Sequence, residues 1–273
     1  MESKITLEEL TAIYELFKYK NWPIDETNKS SLYSRFYRTY EKFDEEERNL
    51  FIKLSYQYKV VSLNDYQELL TKVLSSAVKN HLGQAQAVYV YPIKKNEHRD
   101  CVKSADLVTY LCNGTHMKYS DILSKKNFLC LGSMEQIAEK KSKIGKSRLI
   151  IIDDFIGTGN YARAVVSEIE GLGISPERII IVSLFITKEA LKRLQELDCS
   201  VEYGEMIESC LKEITSSEKE ILARIEQRIG ITEQYHLGYC QSGTLISLIR
   251  TPNNTIPIFW QPSGRSYAPP FQR

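Results

Sequence analysis

Two adjacent carboxylates followed by a glycine-rich turn are the residues of this chain best placed to do chemistry. They lie in "LIIIDDFIGTGNYARAVV", residues 149–166, where Asp153 and Asp154 close an apolar run and Gly157, Thr158, Gly159, Asn160 and Tyr161 follow. Glycines permit backbone angles closed to other residues and let the chain approach a ligand closely. From Thr158 onward the backbone N–H groups belong to the start of an expected helix, where partial positive charge collects, so the turn suits a phosphate. The acids would repel a bare phosphate. They suit hydroxyl groups farther along the same ligand, or a magnesium-bound pyrophosphate whose charge the metal offsets. A ribose 5-phosphate meets both demands, with its phosphate in the turn and its 2- and 3-hydroxyls donating to Asp153 and Asp154.

Other chemistries share parts of this pattern. Gly157 to Ala162 also spells the GxGxxA of dinucleotide-binding folds, but there the first glycine follows the strand almost at once, and two acids beside a pyrophosphate would be repulsive. "LIIIDD" fits the second motif of a P-loop ATPase, yet no GxxxxGK[ST] precedes it. "IGKS" at 144–147 has Lys140 where the first glycine belongs and stands before a strand. A methyltransferase loop would want a further glycine. A purely structural turn is the plain alternative.

The elements that must hold these residues are legible from the period of the apolar positions. Residues 1–82 read as helical: "TLEELTAIYELFKYK", "SLYSRFYRTYEKF", "DEEERNLFIKLSYQY" and "SLNDYQELLTKVLSSAV" each place apolar side chains at helical spacing, the first behind a Thr6–Glu9 capping box. Tyrosine abounds here, and packing between short helices explains it more simply than a ligand-stacking surface. From residue 83 the period changes. "AQAVYVYPI", "FLCLG", "SRLIIID", "RIIIVSLFI" and "VEYGEM" are short, nearly continuous apolar runs, and "SADLVTYLCN", "MEQIAEKKS", "YARAVVSEIEGLG" and "KEALKRLQELD" between them are helical. Buried strands alternating with helices predict an α/β fold, a parallel sheet covered on both faces. The strand at 149–152 should end at Asp153 and the next helix begin near Asn160. Ligands of such sheets bind beyond the carboxyl ends of the strands, where this turn falls. A helix, "SSEKEILARIEQRI", follows, and the end of the chain reads as strand, proline-bounded turn and aromatic plug.

Global composition sets wide limits. With 273 residues, 42% of them apolar, the chain can bury a sizeable core, and 36 basic against 35 acidic side chains leave a net charge of +1. That balance favours neither a nucleic-acid binder nor an acidic tail. The cluster Lys140, Lys141, Lys143 and Lys146 reads as solvated. Six cysteines lack any CxxC or Cys/His metal spacing and mostly sit in apolar runs, as reduced small hydrophobes do. No apolar run approaches a membrane span and "MESKITLEEL" has no signal core, so the expectation is a reduced, soluble, cytoplasmic protein with no membrane partner. His81, His98, His116 and His236 are too dispersed to form a catalytic or metal set. No helix-turn-helix or zinc finger is apparent.

Four apolar residues, two acids, three variable positions, then Thr-Gly and a small residue resembles the signature of the type I phosphoribosyltransferases. The resemblance covers roughly residues 83–205. It implies binding of 5-phosphoribosyl-1-pyrophosphate (PRPP) or a nucleotide-like molecule, with Mg2+ held by Asp153 and Asp154 through the ligand, and transfer or cleavage at ribose C1. It further implies a pyrophosphate loop after the first sheet strand, for which Lys103, Ser104 and Ala105 are the candidates; Lys94, Lys95 and Arg99 read as solvated neighbours. Gly157 stands where some members carry an acid acting as general base, and Tyr161 replaces a small hydroxyl residue. The helical start and "TPNNTIPIFW … PPFQR" are foreign to salvage enzymes. The combination resembles phosphoribosyltransferase-like proteins of bacterial conflict systems, including effectors encoded beside retron reverse transcriptases. That implies a toxin-like antiviral effector restrained by a partner, such as a reverse transcriptase with its non-coding RNA or DNA, in an oligomer or hetero-complex. Two other classes stay open: a non-catalytic nucleotide-sensing or regulatory module, and an assembly subunit of a nucleoprotein complex. The expected division is a helical subdomain, 1–82, and a phosphoribosyltransferase-like domain, 83–273, closed by a segment from about 206 to 273.

Overall fold

The computed structural model describes residues 5–263 and 267–273. In chain order the helices and strands are α1 (Leu7–Tyr19), α2 (Leu32–Tyr40), α3 (Glu45–Gln57), β1 (Lys59–Val60), α4 (Leu63–Ala77), β2 (Ala87–Pro92), α5 (Ser104–Leu111), β3 (Asn127–Cys130), α6 (Met134–Lys146), β4 (Leu149–Ile156), α7 (Asn160–Gly171), β5 (Ile179–Thr187), α8 (Lys188–Leu194), β6 (Ser200–Ile207), α9 (Ser216–Arg228) and β7 (Ile246–Ser247). The chain divides into two compact units, residues 62–208 and residues 1–61 with 209–273.

The first of these units holds a five-stranded, all-parallel sheet in the order β3-β2-β4-β5-β6. This is the α/β architecture that the alternation of apolar runs and helices predicts. Leu149 and Ile151 of β4, with Ile179 and Ile181 of β5, share one core with Ile137 of α6, Val165 and Ile169 of α7, and Leu194 of α8. The intervening Ile150, Ile152, Ile180 and Val182 are equally buried, which places them under the opposite layer, where α5 packs on β2 and β4 and α4 on β5 and β6. Both faces being covered explains why the strands read as continuous apolar runs rather than alternating ones. Each buried isoleucine contributes on the order of 1.5–3 kcal/mol relative to leaving it exposed.

Strand order fixes where a ligand can sit. The chain leaves β2 toward β3 on one side, then crosses back to β4 and continues outward to β5 and β6. Between β2 and β4 the direction of winding reverses, so their following loops diverge and open a crevice at the carboxyl ends. The register pairs Tyr89 with Leu149 and Pro92 with Ile152, so β2 stops at the level where the acids of β4 begin. The strand expected over 149–152 runs on through both acids to Ile156, because β5 continues to pair with it as far as Ile186. The helix after it begins at Asn160, as the sequence implies.

The other unit is helical, with α1, α2, α3 and α9 around an aromatic core. Phe17 packs edge-on against Trp22, Tyr33 and Phe36 at centroid distances of 5.3, 5.0 and 5.3 Å. The C-terminal block delivers Phe259, stacked on Phe51 at 5.0 Å, and Phe271, stacked on Tyr58 at 4.4 Å. Its strand is only the two residues of β7, parallel to β1.

This division differs from the expected 1–82 and 83–273. α4 belongs with the sheet, burying Tyr66, Leu70, Val73, Leu74 and Ala77 behind a Ser62–Asp65 capping box. Residues 209–273 belong with the first three helices, as the joint core of Leu222, Ile225, Phe259 and Phe271 with Phe17 and Phe51 shows. Helical periodicity reveals that a face will be buried, not against which partner. The cysteines differ too: Cys112 and Cys210 are buried, Cys199 is intermediate, and Cys101, Cys130 and Cys240 are exposed, all free.

Candidate functional site

The glycine turn bridges the end of β4 and the start of α7. Gly159, the residue before the helix, adopts φ +76 and ψ −14, a left-handed conformation, and makes no side-chain cap. A Cβ there would lie 3.3 Å from the carbonyl oxygen of Ala190, so both the backbone angle and the close approach of α8 require glycine. The turn is held from that side. Thr187 donates its hydroxyl to the Gly157 carbonyl at 2.5 Å and accepts the Ala190 N–H at 3.1 Å. Arg193 donates to the Thr158 carbonyl at 2.9 Å and to Asn160 Oδ1 at 2.7 Å, while pairing with Glu189 at 3.0 Å. These bonds tie the turn to the end of β5 and to α8. The first N–H groups of α7 have no acceptor within the helix, which is the arrangement that binds anions. Gly159→Ala should therefore cost about 1–2 kcal/mol of stability and weaken ribose 5-phosphate binding. Thermal unfolding and calorimetry check the two effects, and unchanged affinity with normal stability would remove the turn from the site.

The two acids have different surroundings. Asp154 is only 3% exposed, and its Oδ2 accepts the Tyr66 hydroxyl of α4 at 2.7 Å. Asp153 is less covered, and its Oδ1 accepts the Asp154 N–H at 2.9 Å and the Ser104 hydroxyl at 3.3 Å. Burial, with Asp154 beside it, pushes Asp153 well above the usual carboxylate range. The structure thus brings Ser104, at the first position of α5, to Asp153, so the helix following β2 and the acids of β4 meet across the winding reversal. Ala105 is buried in the first turn of α5, where only its backbone remains for a ligand. The Lys103 N–H donates to Asp106 Oδ2 at 2.7 Å, closing that helix start.

The loop between β2 and α5 is tied down more firmly than its composition suggests. Lys94, expected to be solvated, is 5% exposed, and its ammonium pairs with Asp106 at 2.7 Å. Tyr161 reaches this loop from α7. Its hydroxyl accepts the Lys95 N–H at 3.2 Å and lies 3.0 Å from His98 Nδ1, while the Lys95 ammonium sits over its ring at 5.7 Å. Burial, ahead of its neighbours' charges, raises the Tyr161 phenol above its ordinary value. Glu168 of α7 accepts the Asn96 N–H at 2.9 Å and adds a second tie. Tyr161 therefore clamps the loop after β2 to the helix that follows the glycine turn. Arg99 lies outside this clamp, exposed beside Asp100 and Glu135.

Tyr66, Thr187 and Arg193 hold the candidate site from outside the motif. Thr187 carried a local signal, a threonine ending an apolar strand just before a helix. Tyr66 and Arg193 carried none beyond their helices.

A five-stranded parallel sheet whose central strand carries an acid pair, followed by a glycine turn opening a helix, is the arrangement expected of a phosphoribosyltransferase-like protein. The chain belongs to the PRTase-CE family, whose family model matches residues 32–273. The match reaches beyond the 83–205 of the motif resemblance, taking in helices before the sheet and the C-terminal block. No curated protein matches the chain. Among the described residues, no helix is long and apolar enough to cross a membrane.

Proposed function

We propose that the chain binds PRPP or a related ribosyl phosphate in the crevice between β2 and β4 and transfers or cleaves at ribose C1. The observation that carries this reading is the glycine turn, held open by Thr187 and Arg193 at the start of α7, beside Asp153. The 5-phosphate takes the N–H groups of residues 158–161, and Asp153 accepts from the ribose hydroxyls. Asp154, fixed by Tyr66, positions Asp153 through the shared backbone. The start of α5, Lys103 to Ala105, faces the pyrophosphate.

Asp153 offers the hard oxygen that Mg2+ takes when it is bound by one or two carboxylates together with substrate phosphates. When bound, Mg2+ offsets the charge of the leaving pyrophosphate. The bond from C1 to the pyrophosphate oxygen breaks with its electron pair leaving on oxygen, and an acceptor lone pair forms the new bond. Positive charge on the ribose peaks at the transition state, where Asp153 stabilises it. No acid at 157 is available to take a proton, so the acceptor must attack without help from that position.

The wider setting in this reading is an antiviral effector acting in a hetero-complex, restrained by a partner such as a reverse transcriptase with its non-coding RNA. A nucleotide-sensing module without catalysis is the second reading. Gly157 in place of an acid, and a Tyr161 hydroxyl committed to Lys95 and His98 rather than to a phosphate, favour it. One experiment separates the two. The full chain is titrated calorimetrically with PRPP, with and without Mg2+, and pyrophosphate release and growth on expression are followed. Magnesium-dependent binding, pyrophosphate release and slowed growth are expected. Binding without release and without growth arrest supports the sensing module, and no binding of PRPP sinks the first reading.

A further inference from the structure

In the helical unit, α1, α2 and the loop between them surround a cavity of ≈ 800 Å³. That is within the range of small-molecule pockets, roughly 300–1,000 Å³. Three tyrosines line it: Tyr14 from α1, and Tyr33 and Tyr37, one turn apart on α2. Tyr33 is 9% exposed and forms the floor, while Tyr14, 40% exposed, forms a wall whose ring carries the Lys18 ammonium at 4.6 Å. The abundance of tyrosine here is therefore only partly internal packing.

Charge is placed at the same opening. Lys29 and Arg38 both line it, and the Arg38 guanidinium donates to the Lys29 carbonyl at 2.6 Å and to the Ser34 carbonyl at 3.2 Å. That holds the guanidinium against the loop carrying Lys29, and both residues line the groove. Glu26 is the acid of the lining, close enough to Tyr33 that, after burial, it and Tyr14 raise the Tyr33 phenol. Aromatic faces stack on any nucleobase, a carboxylate accepts from the base's N–H groups, and paired cations hold a phosphate. An acidic peptide would use the cations but leave the tyrosine faces and Glu26 without counterparts.

We propose that this groove binds a nucleoside monophosphate unit, its base stacked among Tyr14, Tyr33 and Tyr37 and its phosphate on Lys29 and Arg38. The unit is either a free mononucleotide or one residue of a single strand, since both present the same chemistry. The site is separate from the glycine turn and does not depend on the reading given for it.

The test uses the full chain, both with Asp153 intact and as Asp153→Asn, so that a nucleotide held at the glycine turn is recognised by its dependence on Asp153. It is titrated with adenosine monophosphate, adenosine and a short single-stranded oligodeoxyadenylate. Adenosine monophosphate or the oligonucleotide should bind in a salt-sensitive way, and more tightly than adenosine. Adding Tyr14→Ala, which removes a half-open ring and little packing, should weaken binding roughly 5- to 150-fold. Lys29→Ala should bring adenosine monophosphate down to the level of adenosine. Tighter binding of the oligonucleotide assigns the groove to a strand, and tighter binding of the mononucleotide to a free ligand. The proposal is overturned if neither binds, or if binding is indifferent to both Tyr14→Ala and Lys29→Ala. It is equally overturned if a nucleotide binds only when Asp153 is intact.

Discussion

Asp153→Asn should lower pyrophosphate release on the order of 10²–10³-fold, or about 2.7–4 kcal/mol of transition-state stabilisation, by analogy with losing one preorganised electrostatic group elsewhere. The side chain keeps its shape, and the amide oxygen still accepts from the Ser104 hydroxyl and the Asp154 N–H, as Asp153 Oδ1 does. Only the charge goes. Because burial and Asp154 disfavour that charge in the folded protein, removing it should leave stability within about 1 kcal/mol of the parent or raise it. Ground-state binding should fall less than turnover, since positive charge on ribose is greatest at the transition state. Thermal unfolding together with single-turnover kinetics reads both effects. A folded variant that still releases pyrophosphate at the parent rate would show that Asp153 is not the working acid.

Tyr66→Phe should have the largest effect on stability among single-atom changes near the site. It deletes the donor to a carboxylate that is 3% exposed and leaves the ring in place. Hydrogen bonds to charged groups are worth about 1.5–3 kcal/mol, and an acceptor left buried without one adds its desolvation cost. We expect a loss of about 2–3 kcal/mol, with turnover reduced as Asp154 shifts and carries Asp153 with it. Combining Tyr66→Phe with Asp154→Asn should recover part of the stability, because the amide no longer brings a charge into the gap. A loss below about 0.5 kcal/mol, the range of ordinary surface changes, would show that the bond does not hold Asp154.

Much of the sheet was legible because its strands are buried on both faces and separated by turns. "LIIID" and "RIIIVSLFI" could hardly be anything but interior strands, and the helices between them carry clear apolar faces. The extension of β4 through two acids was not legible. It depends on β5 supplying backbone partners as far as Ile186, a pairing that lies outside the local sequence. The fate of α4 was hidden for a related reason. Its periodicity predicts a buried face, while its place on β5 and β6 is set by the rest of the fold.

The candidate site shows the same limits. The turn and the acid pair stand out because glycine spacing and adjacent like charges are unusual enough to need a chemical reason. Ser104 came into view only through resemblance, and the structure then brought it to Asp153. Lys94 reads as solvated because a lysine in a polar loop gives no sign that Asp106, on the next helix, pairs with it. Tyr161 stands where the resemblance expects a small hydroxyl residue. Its role is visible only once Lys95 and His98 are placed against it.

The most direct measurement is a crystal structure of the full chain with ribose 5-phosphate bound. The 5-phosphate is expected within hydrogen-bond reach of the N–H groups of residues 158–161, with a ribose hydroxyl on Asp153. Phosphate density elsewhere, with the glycine turn closed over by side chains, would contradict it.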